Sequence, residues 1–177
     1  MIRTSLLAIG LSLAFLAPSS RASDPGTAYC FGVGCPCGND DALGGCVNSS
    51  GAGALLTATG TSSIAAEDLN FHGIHMPINA VTIVITAPGQ QALPFKDGKL
   101  CVAGQLTRLF KHNNTGQTGA IDFQDVLASF KLNADPKLFA AGETANFQLW
   151  FRDAPASVSP CGGKSNLTNA YQITFTP

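Results

Sequence analysis

The clearest alternation in the chain is in "GETANFQLWFRDAP" (142–155). Ala145, Phe147, Leu149 and Phe151 fall on one face, and Asn146, Gln148, Trp150 and Arg152 on the other. A period of two marks a strand, and its apolar face is expected to point inward. "AVTIVIT" (80–86) places Val81, Ile83 and Ile85 on one face, all β-branched and suited to a pleated surface. "NAYQITFTP" (169–177) puts Tyr171, Ile173 and Phe175 in one register. Shorter strands are predicted at Leu55–Thr59 and around Leu69 and Phe71, with Asn70 and His72 on the opposite face. In "PFKDGKLCVAGQLTRLF" (94–110), Asp97-Gly98 separates two runs as a hairpin turn would. Leu100, Val102, Leu106 and Phe110 then share a face. "FQDVLASFKL" (123–132) is ambiguous, because Phe123, Val126, Leu127 and Phe130 also fit helical spacing. Its shortness and flanking breakers favour a strand at Val126–Leu132.

Strands at short, even spacing, with turn residues between them and no long helix, predict an all-β fold. The expected architecture is an antiparallel β-sandwich, Ig-like or jelly-roll in topology, with a disulfide-stapled N-terminal loop region. Residues 1–22 stand outside it. Arg3 precedes an apolar run from Leu6 to Ala17 that is shorter than the roughly 20 residues a membrane span needs. Ser20-Arg21-Ala22 follows as a cleavage site, so 1–22 reads as a signal peptide and 23–177 as a single secreted domain.

Charge alters the list of partners. The full chain carries −1, which becomes −3 when Arg3 and Arg21 leave with the leader. A nucleic-acid partner would need a basic stripe, so it is excluded, and no later segment is apolar and long enough to span a membrane. The partner expected is an extracellular protein or a polysaccharide. The location expected is secreted, extracellular or in the cell envelope.

Export places Cys30, Cys35, Cys37, Cys46, Cys101 and Cys161 in an oxidising compartment, where an even number reads as disulfides. Cys35 and Cys37 are too close to pair with each other without strain. Cys101 and Cys161 stand alone in the second half and are expected to pair. Within "CFGVGCPCGNDDALGGC" (30–46) the preferred arrangement is Cys30–Cys35 with Cys37–Cys46. Cys30–Cys37 with Cys35–Cys46, or a set containing Cys30–Cys46, remain open. Zinc is disfavoured by the irregular spacing, and a redox pair by the lack of C-x-x-C in a βαβ setting.

Several phrases then become recognisable together: "CPCGN" (35–39), "GCVNSSGAGALL" (45–56), "FKDGKLCVAGQLTRL" (95–109), "FQLWFRDAP" (147–155) and "SNLTNAYQITF" (165–175). The chain resembles a family of secreted, cysteine-stapled β domains of planctomycetes and related bacteria. Its members carry CPCGN, GDGLRCVGG, YQxWYRDP and FNLTNA in the same order. The resemblance covers nearly the whole of 23–177 and implies a fold and an address, not an activity. Lys96 stands where the family has Gly, Lys99-Leu100 replaces Leu-Arg, and Ser165 replaces Phe; the first of these bears on the turn.

Candidate chemistry is sparse. His72 and His75 form "HGIH" on what reads as strand and turn, where metal-binding helical geometry does not hold. Asn39, Asp40, Asp41, Asp97, Asp122, Asp125 and Asp153 could supply calcium oxygens, but they equally suit turns and caps. Calcium is therefore the one cofactor left open, and none is assigned. Glu67, Asp68 and Glu143 are the carboxylates a glycosidase would draw on, and no nucleophile elbow is present. No catalytic residue is assigned. Arg152 is expected to pair with a carboxylate at a strand end. Trp150, Tyr171 and Tyr29 are the aromatic residues able to stack on a ligand. Trp150 is expected to pack beneath a second layer, with a ligand platform as the alternative. Sequons at Asn48, Asn113 and Asn166 read as incidental. The function expected is a non-catalytic extracellular structural or adhesion-type module. A carbohydrate-binding domain is the alternative, and a small secreted hydrolase the second alternative.

Overall fold

The structure is a computed structural model that describes residues 24–109, 113–133, 139–154 and 159–177, with residues 130–133 described by backbone alone. The expected leader and Phe110 lie outside the described residues. The strands are β1 (Thr27–Tyr29), β2 (Leu55–Thr59), β3 (Asn70–Ile74), β4 (Val81–Ala87), β5 (Gly89–Phe95), β6 (Gly98–Ala103), β7 (Thr107–Arg108), β8 (Asn113–Asn114), β9 (Ile121–Phe123), β10 (Thr144–Arg152) and β11 (Ser165–Thr174). Among the described residues one α-helix, α1 (Val126–Asn133), separates β9 from β10. The protein is all-β, and every strand-to-strand ladder is antiparallel.

Three sheets stack. The largest runs β1-β11-β10-β4-β7, with β8 also on β4; the second runs β2-β3-β9; the third is the hairpin β5-β6. The main core lies between the first two. Phe147, Leu149 and Phe151 of β10 are fully buried there, with Leu56 of β2, Phe71 of β3 and Ile173 of β11. Phe71 and Phe147 meet at 4.9 Å between ring centroids, and Phe147 packs edge-on to Phe175 at 6.4 Å. This is the inward face that the alternation of β10 predicts. A smaller core, Ile85, Ala87, Val102 and Leu167, lies on the other face of the large sheet, beneath the hairpin.

Segment 126–132 is helical, not a strand. The reason is the adjacent pair Val126-Leu127. In a strand the two side chains would point to opposite faces, whereas one helical face can carry both inward. Both are buried in the main core. The Val126 N–H donates to the Leu69 carbonyl and the Asp125 N–H to Asn70 Oδ1, which docks the helix start onto β3.

The hairpin turn is displaced by one residue from Asp97-Gly98. Phe95 pairs with Gly98, so Lys96 and Asp97 form the loop. Lys96 has φ 56°, a left-handed backbone conformation that glycine adopts most readily. Gly98 is needed for a different reason, since a Cβ there would collide with Asn166 Oδ1. After β6 the chain turns at Gly104, φ 99°, so Leu106 and Arg108 cross to the edge of β4.

Buried amides join the layers. Gln148 Oε1 accepts from the Cys101 N–H, and its Nε2 donates to the carbonyls of Lys99 and Thr168. Asn169 accepts from the Leu56 N–H and donates to the Leu56 carbonyl, tying β11 to β2. Asn166 donates to the carbonyls of Cys46 and Val47 in the stapled loop.

The disulfides differ from the preferred pairing. They are Cys30–Cys101, Cys35–Cys46 and Cys37–Cys161, and no cysteine is free. Cys35 and Cys37 do avoid each other, and Cys35–Cys46 was among the open arrangements. Cys101 and Cys161 do not pair, because the loop that carries Cys30 and Cys37 lies against both β6 and the turn before β11. Two of the three bridges thus close loops of 71 and 124 residues, which restrict the unfolded chain more than local bridges would.

Two stability outcomes follow from this packing. Phe147→Ala is expected to cost about 3–5 kcal/mol in chemical denaturation, the usual range for a buried Phe. Gln148→Leu is expected to cost about 2–4 kcal/mol despite its greater hydrophobicity, because it strands the Cys101 N–H and two carbonyls. Unfolding midpoints near wild type for either would contradict the core face or the amide tie respectively.

Candidate functional site

The large sheet has an outer face that the hairpin covers only in part. Beneath the hairpin the β10 part of that face is polar and enclosed: Asn146 and Gln148 are buried and satisfied. Further along β10 the next outward residue is Trp150, which is only half-buried. It stands at the side of an open groove of about 490 Å³. The floor is the outer face of β4, namely Val81, Ile83 and Ile85. Phe95 and Leu100 of the hairpin close one side, and Leu106 and Arg108 rise on the β7 edge. Arg152 and Leu167 complete the lining beside Trp150. That volume lies within the roughly 300–1,000 Å³ typical of small-molecule sites.

Leu167 reaches the groove because of a β-bulge. Gln148 pairs with Ala170 but Trp150 with Leu167, so β11 carries one extra residue between them. The extra residue inverts the alternation. Tyr171 and Ile173 therefore face the main core while Leu167 faces outward beneath Trp150.

The face shared by Val81, Ile83 and Ile85 is thus the groove floor. The core side of β4 is Thr82, Val84 and Thr86, all buried. The Thr86 hydroxyl donates to the Asn146 carbonyl, which makes a threonine acceptable there. Trp150 packs on the smaller core and is left half-exposed at the opening, without a second layer over it among the described residues.

Arg152 lacks the carboxylate partner expected of it. Among the described residues no acid pairs with it or with Arg108, and both are exposed. The Arg152 guanidinium lies instead 5.9 Å from the Trp150 ring centroid, within cation–π range. The place of Arg108 at the groove depends on the turn at Gly104, which brings β7 to the edge of β4.

The other aromatic candidates are committed elsewhere. Tyr171 is buried and its hydroxyl donates to the Gly26 carbonyl. Tyr29 donates to the Cys101 carbonyl, and burial pushes its pKa upward.

The acidic positions serve turns. Asp40 accepts from the N–H groups of Gly34 and Cys35, which hold its carboxyl below the usual range. Asp41 accepts from Leu43 and Gly53, and Asp68 from Thr61. Asp97 is fully buried, accepting from the Ser159 hydroxyl and the Gly163 N–H. It fixes the turn that carries Cys161. The groove lining contains no carboxylate. Among the described residues the one close group of three metal-ligating types is Cys37, Asp97 and Cys161, and its two sulfurs are joined in a disulfide.

His72 and His75 do not act together. His72 Nδ1 is 2.7 Å from Asp122 Oδ1 and its Nε2 is 2.8 Å from Thr59 Oγ1, a chain across three adjacent strands. Asp122 is 50 residues away in sequence, and only the β3–β9 register brings it opposite His72. His75 has φ 61°, and its carbonyl accepts from Asn48 and Ser50. Two sequon asparagines, Asn48 and Asn166, are buried and hydrogen-bonded, so neither presents an amide to solvent.

Asp153 is the buried acid whose protonation matters. Both oxygens accept from the Ser49 N–H, at 3.1 and 3.2 Å. Burial raises its pKa above the ordinary carboxylate value, against those hydrogen bonds, and the charge of Asp97 adds to the rise. A carboxyl with a raised folded pKa favours the folded state below its unfolded pKa of about 3.9, and this contribution is lost as pH rises through the folded value. Wild type should therefore lose stability relative to Asp153→Asn as pH rises from about 4 towards neutrality. Urea midpoints of the two proteins across that range measure the difference; a pH-independent gap would mean that Asp153 titrates as a solvated acid.

Comparison of the chain with protein-family models, with curated proteins and with solved structures finds no match.

Proposed function

We propose that this protein is a secreted, non-catalytic binding module whose ligand site is the Trp150 groove. The observation that carries the reading is the groove itself. Elsewhere the smaller core is roofed by the hairpin, but at Trp150 an apolar floor of Val81, Ile83 and Ile85 is left open to an entering group. Burial of such a surface is favourable at about 25 cal/mol per Å². The scaffold around it is pre-organised: three disulfides hold it, and no buried side-chain polar atom among the described residues lacks a partner. A fixed site loses less entropy on binding. Secretion is supported by the leader-like 1–22 segment, by the disulfides and by the resemblance to exported stapled domains.

A carbohydrate ligand is the second reading, favoured by the half-exposed Trp150 ring. The lining weighs against it. Sugar hydroxyls need several hydrogen-bond partners, and eight of the ten lining residues are hydrophobic. A structural or adhesion role fits the same scaffold without using the groove.

Nile red, a neutral apolar dye, discriminates these. The groove reading predicts saturable fluorescence enhancement on the native protein, weakened about tenfold or more by Ile83→Asn on the floor, with the thermal midpoint only modestly changed. Soluble polysaccharides should leave the dye in place. Displacement by a polysaccharide would promote the second reading. An absence of saturable dye binding by a folded protein would remove the groove from the function.

A further inference from the structure

The groove is lined by two cations and no anion. Arg108 and Arg152 are exposed in its walls, and neither has a carboxylate partner among the described residues. They stand on opposite sides of the floor. Arg108 pairs with Ile85 across the β4–β7 ladder. Arg152 follows Phe151, which pairs with Thr82, so it sits level with Val81 across the β4–β10 ladder. Four residues of β4, about 13 Å, separate the two levels. The rest of the chain is acidic, and none of its carboxylates lines the groove. The open apolar surface that holds the tryptophan thus carries two guanidinium groups and no carboxylate.

Resting on the groove reading, we propose that the ligand is a small amphipathic carboxylate. Its apolar body lies along Val81, Ile83 and Ile85 against Trp150, and its carboxylate is held by the guanidinium of Arg152 or Arg108. Guanidinium groups pair with carboxylates through parallel N–H donors, more strongly than neutral hydrogen bonds do. A neutral amphiphile of the same shape is penalised. Its body would cover part of the guanidinium surface and take water from it without supplying an anion. The dimensions favour a free small molecule over a bilayer, because the floor of Val81, Ile83 and Ile85 is recessed between the hairpin and β7, and of the apolar lining only Phe95 and Leu106 at the rim are exposed.

The test is competition against bound Nile red near neutral pH and low salt, with decanoate and 1-decanol as matched displacers. Decanoate should displace the dye at about tenfold lower concentration than decanol. Raising the salt to about 0.5 M should shrink that ratio, because exposed charge pairs are screened. The double variant Arg108→Gln with Arg152→Gln should bring the ratio close to one, and Arg152→Lys should retain part of it. Equal displacement by decanoate and decanol in wild type would overturn the anion reading while leaving the groove as a binding site. So would a charge preference that survives in the double Gln variant. Failure of both displacers against saturably bound dye would also overturn it. Co-sedimentation with phosphatidylglycerol vesicles by a protein that decanoate does not occupy would assign the cations to a membrane surface instead. Absence of Nile red binding is a failure of the groove reading itself and is seen before any displacer is added.

Discussion

The side-chain amides of β10 and β11 hold the layers of this protein in place. A six-stranded sheet must bind a three-stranded sheet on one face, a hairpin on the other and a stapled loop along its side. Backbone ladders cannot do this, since they run only within a sheet. Asn169 reaches β2, Gln148 reaches β6, and Asn166 reaches the loop at Cys46 and Val47. Each presents a donor and an acceptor in the pattern of a peptide group, so each completes an edge that would otherwise be buried unpaired. Such amides are costly when half-satisfied. Here all are paired, so the layers are held in one relative position and not merely pressed together by apolar contact.

The stapled loop depends on the same frame. Cys37 is bonded to Cys161, and the Cys161 turn is fixed by Asp97 through Ser159 and Gly163. Asp97 lies in the hairpin loop, whose carbonyl also accepts from Asn39 of the stapled segment. Hairpin, loop and turn therefore constrain one another at a single buried carboxylate. Asp153 sits near enough for Asp97 to influence its charge. The region combines covalent rigidity with a sensitivity to protonation that the aromatic core lacks.

The groove follows from where this frame stops. The hairpin covers the large sheet as far as Gln148, whose amide is consumed by β6. One alternation further along, Trp150 has no amide to offer and no strand above it. Its indole packs on Leu167, supplied by the bulge in β11, and the residual surface continues over β4. Arg152 and Arg108 border this surface with no carboxylate partner among the described residues, which gives a chain of net negative charge a locally basic, apolar opening.

Much of this was legible in the sequence. Local alternation placed Phe147, Leu149 and Phe151 in the core, because a strand's period of two acts on adjacent residues and needs no knowledge of partners. The turn before β6, the all-β class and the oxidation of six cysteines were legible for similarly local reasons. The tertiary structure decided what depends on which segments meet. It paired Cys30 with Cys101 and Cys37 with Cys161, because loop geometry and not sequence distance sets the approach of the sulfurs. It made Val126–Asn133 a helix, since only a helix turns the adjacent Val126 and Leu127 into one core. It put Asp122 opposite His72 through strand register. It also turned Val81, Ile83 and Ile85 outward and, through one extra residue in β11, set Leu167 beside Trp150. Strict alternation has no way to express a bulge, so the groove belongs to the fold and not to the pattern.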